Sequence, residues 1–212
     1  MKLESAVIGF IFIFMPFVAN VNAQDSDIDY SKRGNLLIGW SAGIGYPADM
    51  PTGETRAGRF FAVDMIYLFK DKAVDDDGME CSKSGSGGWG LKYINCKAEN
   101  IGYASTVSYI GAELMIRGAT TESEKNYLSL ELGMGILNIS KTATYEYERV
   151  SNSYLGFQGR LSFDTRIHDN LFISPGLDIL LYYFNDSDKK NYDEGDIYLG
   201  LFGISLGLKY IF

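Results

Sequence analysis

The seventeen residues that end the chain, Asp196 to Phe212, run DIYLGLFGISLGLKYIF. Taken every second residue, Phe202, Ile204, Leu206, Leu208, Tyr210 and Phe212 are large and apolar. Between them stand Gly203, Ser205, Gly207, Lys209 and Ile211, mostly small or polar. Successive side chains of a strand point to opposite faces, so this segment predicts one strand with a continuous apolar face. No turn residue interrupts it, and it is long enough to cross a bilayer, which takes roughly 9–11 tilted strand residues. In lipid such a strand needs neighbours on both edges, which a closed sheet supplies.

The alternation recurs along the chain. Leu36, Ile38, Trp40, Ala42, Ile44 and Tyr46 oppose Leu37, Gly39, Ser41, Gly43 and Gly45. Phe61, Val63, Met65, Tyr67 and Phe69 share a face, with Asp64 on the other. A short strand carries Trp89, Leu91 and Tyr93 against Gly90 and Lys92. Ile110, Ala112, Leu114 and Ile116 alternate with Gly111, Glu113 and Arg117 on the opposite face. Leu128 to Ile136 opposes Ser129, Glu131, Gly133 and Gly135. Leu155, Phe157, Leu161 and Phe163 oppose Gln158, Arg160, Ser162, Asp164 and Arg166. Leu171, Ile173, Leu177, Ile179 and Leu181 oppose Ser174, Gly176 and Asp178. Pro175 lacks a ladder donor and predicts a bulge or local break. With the closing strand the total is eight. Turns are expected at Lys70–Gly87, Gly118–Lys125 and His168–Asn170. Loops are expected at Pro47–Ala57, Asn95–Thr106, Lys141–Asn152 and Asn185–Gly195, the third as a loop or as strands running beyond the membrane.

The N-terminus reads differently. Lys2, the apolar run Ala6–Phe14 and the small-residue site Val21-Asn22-Ala23 predict a cleaved secretory signal over residues 1–23. Residues 24–35 are polar and predict a short lead-in to a barrel spanning 36–212. Past the signal, no apolar run reaches the roughly 18 residues of a membrane helix. A net charge of −8 argues against nucleic acid as a partner. Aromatics and glycine are abundant, at 15 Tyr, 13 Phe and 24 Gly, as interface girdles and crowded interiors require.

The strand Gly88–Tyr93 (GWGLKY), the strand Ser108–Leu114 (SYIGAEL), the hairpin through His168-Asp169-Asn170 and the terminal LGLKYIF together resemble the small outer-membrane β-barrel family, the eight-stranded OmpA/OmpX-like kind. The resemblance covers Leu36 to Phe212. It implies an all-β, eight-stranded antiparallel up-and-down transmembrane barrel in the bacterial outer membrane, with both chain ends in the periplasm. It implies that Tyr210 and Phe212 form the assembly signal, and that the partners are outer-membrane lipid and the assembly machinery. A monomer is expected, and no extracellular ligand is named by the sequence. The acidic, cysteine-bearing insert near Asp75–Cys81 departs from the pattern.

The inward faces carry ten charges of mixed sign: Asp64, Lys92, Glu113, Arg117, Glu131, Arg160, Asp164, Arg166, Asp178 and Lys209. An eight-stranded barrel is just wide enough for side chains to fill, and buried charges must pair. The expectation is a network of charge pairs that plugs the lumen, with an ion path or a buried catalytic group as the alternative. A lipid-modifying barrel enzyme needs a nucleophile and commonly a histidine base. The chain has one histidine, His168, in a turn beside Asp169, and no G-x-S-x-G. The reading is therefore no enzyme, no cofactor and no metal. An EF-hand at Asp75–Gly78 fails, because Ala73 and Ser84 would stand where Asp and Glu are needed. Cys81 and Cys96 are expected at opposite ends of the barrel, as two free thiols, or bridged only if the insert folds up beside the strand. Tyr145, Tyr147, Tyr183 and Tyr192 lie on or near the outer loops, as contacts for a ligand or as interface aromatics.

Overall fold

In a computed structural model of the protein, the described residues are 35–47, 57–74, 80–100, 103–120, 125–143, 149–183 and 197–212. They form eight strands: β1 (Leu36–Pro47), β2 (Gly58–Val74), β3 (Glu80–Asn100), β4 (Tyr103–Ala119), β5 (Asn126–Ala143), β6 (Arg149–His168), β7 (Leu171–Tyr183) and β8 (Ile197–Ile211). Each pairs antiparallel with the next, and β1 pairs with β8, so the sheet closes into a barrel. Closure leaves no free edge within the ring, which is what lipid demands of a sheet. The terminal alternation sets that closure. Lys209 lies opposite Gly39, Gly207 opposite Ser41 and Ser205 opposite Gly43, so each of these pairs across the seam has a glycine on one side.

The exterior is the apolar face read from the sequence. Trp40, Met65, Leu91, Leu114, Leu132, Leu161 and Leu206 are all exposed. On β5 the outward apolar run is Leu128 to Ile136. Tilted by about 40°, nine strand residues rise roughly 20–25 Å, the height of the apolar band of an outer-membrane barrel. No helix among the described residues is long and apolar enough to cross a membrane.

Two segments read as turn or loop are strand. Lys70 to Val74 pairs with Ser84 to Glu80, so β2 and β3 continue past the ring as a ribbon and Lys70–Gly87 is no long turn. β1 and β4 stop pairing with them at Tyr67 and Gly87. Beyond that rim a ribbon is held by backbone pairing, which leaves no apolar alternation to read. At the other end Asn95 to Asn100 pairs with Ser108 to Tyr103, replacing the loop expected at Asn95–Thr106. β5 and β6 likewise run on to Thr142 and Arg149, the strand form of the two readings at Lys141–Asn152. At Pro175 the register holds. Pairing of β6 with β7 runs to Ser162–Gly176 and resumes at Thr165–Ile173, a local break without a bulge. The register shifts lie elsewhere, at Leu68/Lys70, Arg166/His168 and Leu180/Leu181. The signal, the lead-in up to residue 34, and the stretches 48–56, 121–124 and 184–196 of the expected loops and turns lie outside the described residues.

Candidate functional site

The lumen is built in three layers. Alternation turns one residue in two inward, and the middle third of each strand supplies charge or hydroxyl there. Asp64 on β2 lies opposite Lys92 on β3, and the Lys92 ammonium reaches Asp64 Oδ1 at 2.9 Å and Glu131 Oε2 at 2.5 Å. Glu131 also takes Lys209 Nζ at 2.9 Å, from the far wall. Lys209 Nζ bridges on to Asp164 Oδ2 at 3.1 Å. Arg160 donates to Asp178 at 3.2 Å, to Ser41 Oγ at 2.9 Å and to the Ser174 carbonyl at 3.3 Å. Asp164 accepts from Ser129 at 2.7 Å, Ser162 at 3.1 Å and Ser174 at 2.6 Å. Serine hydroxyls thus solvate a carboxylate that water does not reach. All ten charged residues singled out in the sequence are buried.

Arg117 and Arg166 lie against aromatic rings. The Arg117 guanidinium lies 4.0 Å from the centre of the Tyr127 ring and 5.1 Å from that of Phe172. Arg166 lies 5.7 Å from Phe172 and donates to Tyr127 Oη at 3.4 Å. These rings belong to an apolar layer with Leu37, Ile66, Leu68, Met115 and Ile211, at the end of the barrel that carries Phe212. A second apolar layer fills the other end, with Phe60, Ile94, Val107, Leu137, Leu180, Tyr182 and Leu201. The charged layer lies between the two. The alternation argument assigned apolar residues outward and so missed most of these. Their signal is the apolar doublet, which puts an apolar residue on both faces: Leu36-Leu37, Phe60-Phe61, Ile136-Leu137, Leu180-Leu181 and Leu201-Phe202.

The remaining candidates are peripheral. His168 is exposed at the end of β6, beside Asp169 and outside the lumen. A rim hollow of about 360 Å³ is lined by Ile44, Ala57, Gly58, Arg59, Lys97 and Glu99, with Lys97 and Glu99 paired at 2.8 Å. Cys96 is buried in the lumen as a free thiol. Tyr210 and Phe212 are exposed on the outer surface with their rings edge to face at 4.7 Å. The Phe212 amide donates to the Leu36 carbonyl at 2.8 Å. Tyr183 is exposed at the end of β7. Tyr145, Tyr147 and Tyr192 lie outside the described residues.

No known protein family matches the chain, and no curated protein does. Solved structures do. The Neisserial surface protein A superposes with a TM-score of 0.58 at 10% identity, over 84% of this chain and 97% of that one. The N-terminal β-barrel domain of Pseudomonas aeruginosa OprF gives 0.48 at 10% identity, over 85% and 100%. The attachment invasion locus protein Ail of Yersinia pestis gives 0.44 at 13%, over 83% and 97%. With eight antiparallel strands, a closed ring and an apolar exterior, the chain has the fold of the small eight-stranded outer-membrane β-barrels.

Proposed function

We propose that the protein is an integral outer-membrane barrel whose role is to anchor and present its outer loops, and that it neither conducts nor catalyses. The carrying observation is the lumen, filled along its length by a charged layer between two apolar ones. A solute path needs continuous polar space, and two apolar layers interrupt it. A catalytic reading needs a nucleophile beside a base, and His168 sits exposed at a turn instead. The apolar exterior supports residence in lipid, and the N-terminal signal read from the sequence supports export. In this reading the Phe212 end faces the periplasm, and Tyr210 and Phe212 address the chain to the assembly machinery. The loops between β1 and β2, β3 and β4, β5 and β6, and β7 and β8 face outward.

An epitope inserted between β7 and β8 tests the orientation and the surface role together. Antibody should label intact cells, and the tagged protein should sediment with outer-membrane fractions. Labelling only after permeabilisation, or sedimentation with the inner membrane, would contradict the proposal.

A further inference from the structure

The rim hollow, at the end of the barrel opposite Phe212, is walled by the outward face of three strands. Ile44 on β1 pairs with Arg59 on β2, and Arg59 with Lys97 on β3, so the three side chains form one outward row. All three are exposed. Two positions nearer the middle of the barrel the same face carries Ala42, Phe61 and Asn95, and after them Trp40, Val63 and Tyr93. Phe61, Trp40 and Tyr93 are exposed as well. Two cations thus stand at the head of a largely apolar lane that alternation turns toward lipid.

The two cations differ in what holds them. The Lys97 ammonium lies 2.8 Å from a Glu99 carboxylate oxygen. The Arg59 guanidinium has no ion pair of that kind among the described residues and acts on Glu99 only through its field. With Ala57 and Gly58 at its edge the hollow encloses about 360 Å³, within the roughly 300–1,000 Å³ of small-molecule sites. Its lining carries a net positive charge, Arg59 and Lys97 against Glu99.

An occupant that matches both parts offers an anion at the rim and an apolar body below it. A planar guanidinium forks onto two oxygens of a phosphate, and basic pockets at a membrane boundary take lipid headgroups. Lys97 adds a second positive charge in the same row, and Ile44 and Phe61 form the wall that an acyl chain would follow. A small free anion would use the head and leave the lane bare. We infer that the rim hollow holds a phosphate-bearing membrane lipid, its phosphate on Arg59 and Lys97 and a chain along Ile44 and Phe61. Such a lipid is available only to a barrel that resides in lipid, so this site rests on the residence proposed above.

Native mass spectrometry of the refolded protein in detergent tests this with three probes: phosphatidylglycerol, a galactosyl diacylglycerol with the same chains, and glycerol 3-phosphate. Phosphatidylglycerol should stay on the barrel, and the phosphate-free and chain-free probes should each bind at least about tenfold more weakly, the scale of one charge-assisted contact. Arg59→Gln should weaken phosphatidylglycerol by about the same factor, and Lys97→Gln by less, because Glu99 shares that ammonium. Arg59 is exposed, so its variant should fold, which unchanged thermal unfolding confirms. Equal retention of the galactolipid would overturn the site, since the apolar lane alone would then explain binding. Retention that survives Arg59→Gln would overturn it too, as would glycerol 3-phosphate binding as tightly as the whole lipid. Binding in detergent is read without reference to cellular location. A barrel that takes the lipid yet sediments with the inner membrane would therefore refute the proposed residence, and an outer-membrane barrel that ignores the lipid would refute this site.

Discussion

Arg160 shows how much a single inward residue carries. Its guanidinium joins Asp178, Ser41 and the Ser174 carbonyl, and its floor is Gly176, where an added Cβ would lie 3.0 Å from Nε and Nη2. Arg160→Ala leaves Asp178 with the hydroxyl of Ser205 and without its guanidinium partner. Breaking a buried pair in this way costs about 3–5 kcal/mol. Gly176→Ala should cost about 1–3 kcal/mol by overpacking, and almost nothing once Arg160 is alanine, because the two are coupled. Urea unfolding of the two single variants and the double measures this, and additive costs would contradict the contact. The sequence showed which charges point inward, because alternation fixes that. It did not show who meets whom. Glu131 and Arg160 are direct cross-strand partners, yet their closest charged atoms are 4.0 Å apart. Lys209 reaches Glu131 at 2.9 Å across the lumen, a contact that no local pattern encodes.

Strands were legible where one face meets lipid and illegible where neither does. The Trp89 strand was read as a few residues, but β3 has 21. Its ends lie past the apolar band, where Ser, Gly and charge look like turn. Cys81 and Cys96 both lie on this one strand, fifteen residues apart. At about 3.3 Å per residue that is roughly 50 Å, against a disulfide's Cα limit of about 7 Å. Non-reducing mass spectrometry should find no Cys81–Cys96 bond, and Cys96 should resist maleimide until the barrel is unfolded. A quantitative bond would break β3 as drawn. β8 makes a separate prediction. Phe212 adds one ring on the outer surface and one backbone bond to Leu36. Its deletion removes at most about 1.5–3 kcal/mol of burial, so refolding in detergent should be nearly normal while yield in cells collapses. Equal failure in both settings would make Phe212 structural and not an address.

At the scale of the molecule, the fold was legible because lipid imposes one rule on all eight strands, and the lumen was legible in part. Charge in the middle of the strands showed at once. The two apolar layers did not, since an apolar residue next to another apolar residue hides which of them faces inward. Their presence changes the account of closure. A lumen filled by charge alone could admit water and ions along its wall, whereas the closed lumen proposed above rests on Phe60, Leu137 and Leu201 at one end and on Leu37, Met115 and Phe172, with the Arg117 and Arg166 guanidiniums over the Phe172 ring, at the other. Single-channel recording in planar bilayers tests this most directly. Refolded protein, inserted and held at either polarity, should give no steady current above the bare membrane. Reproducible, ohmic current steps from the unaltered protein would show that the layers part to form a channel and would contradict the closed barrel described here.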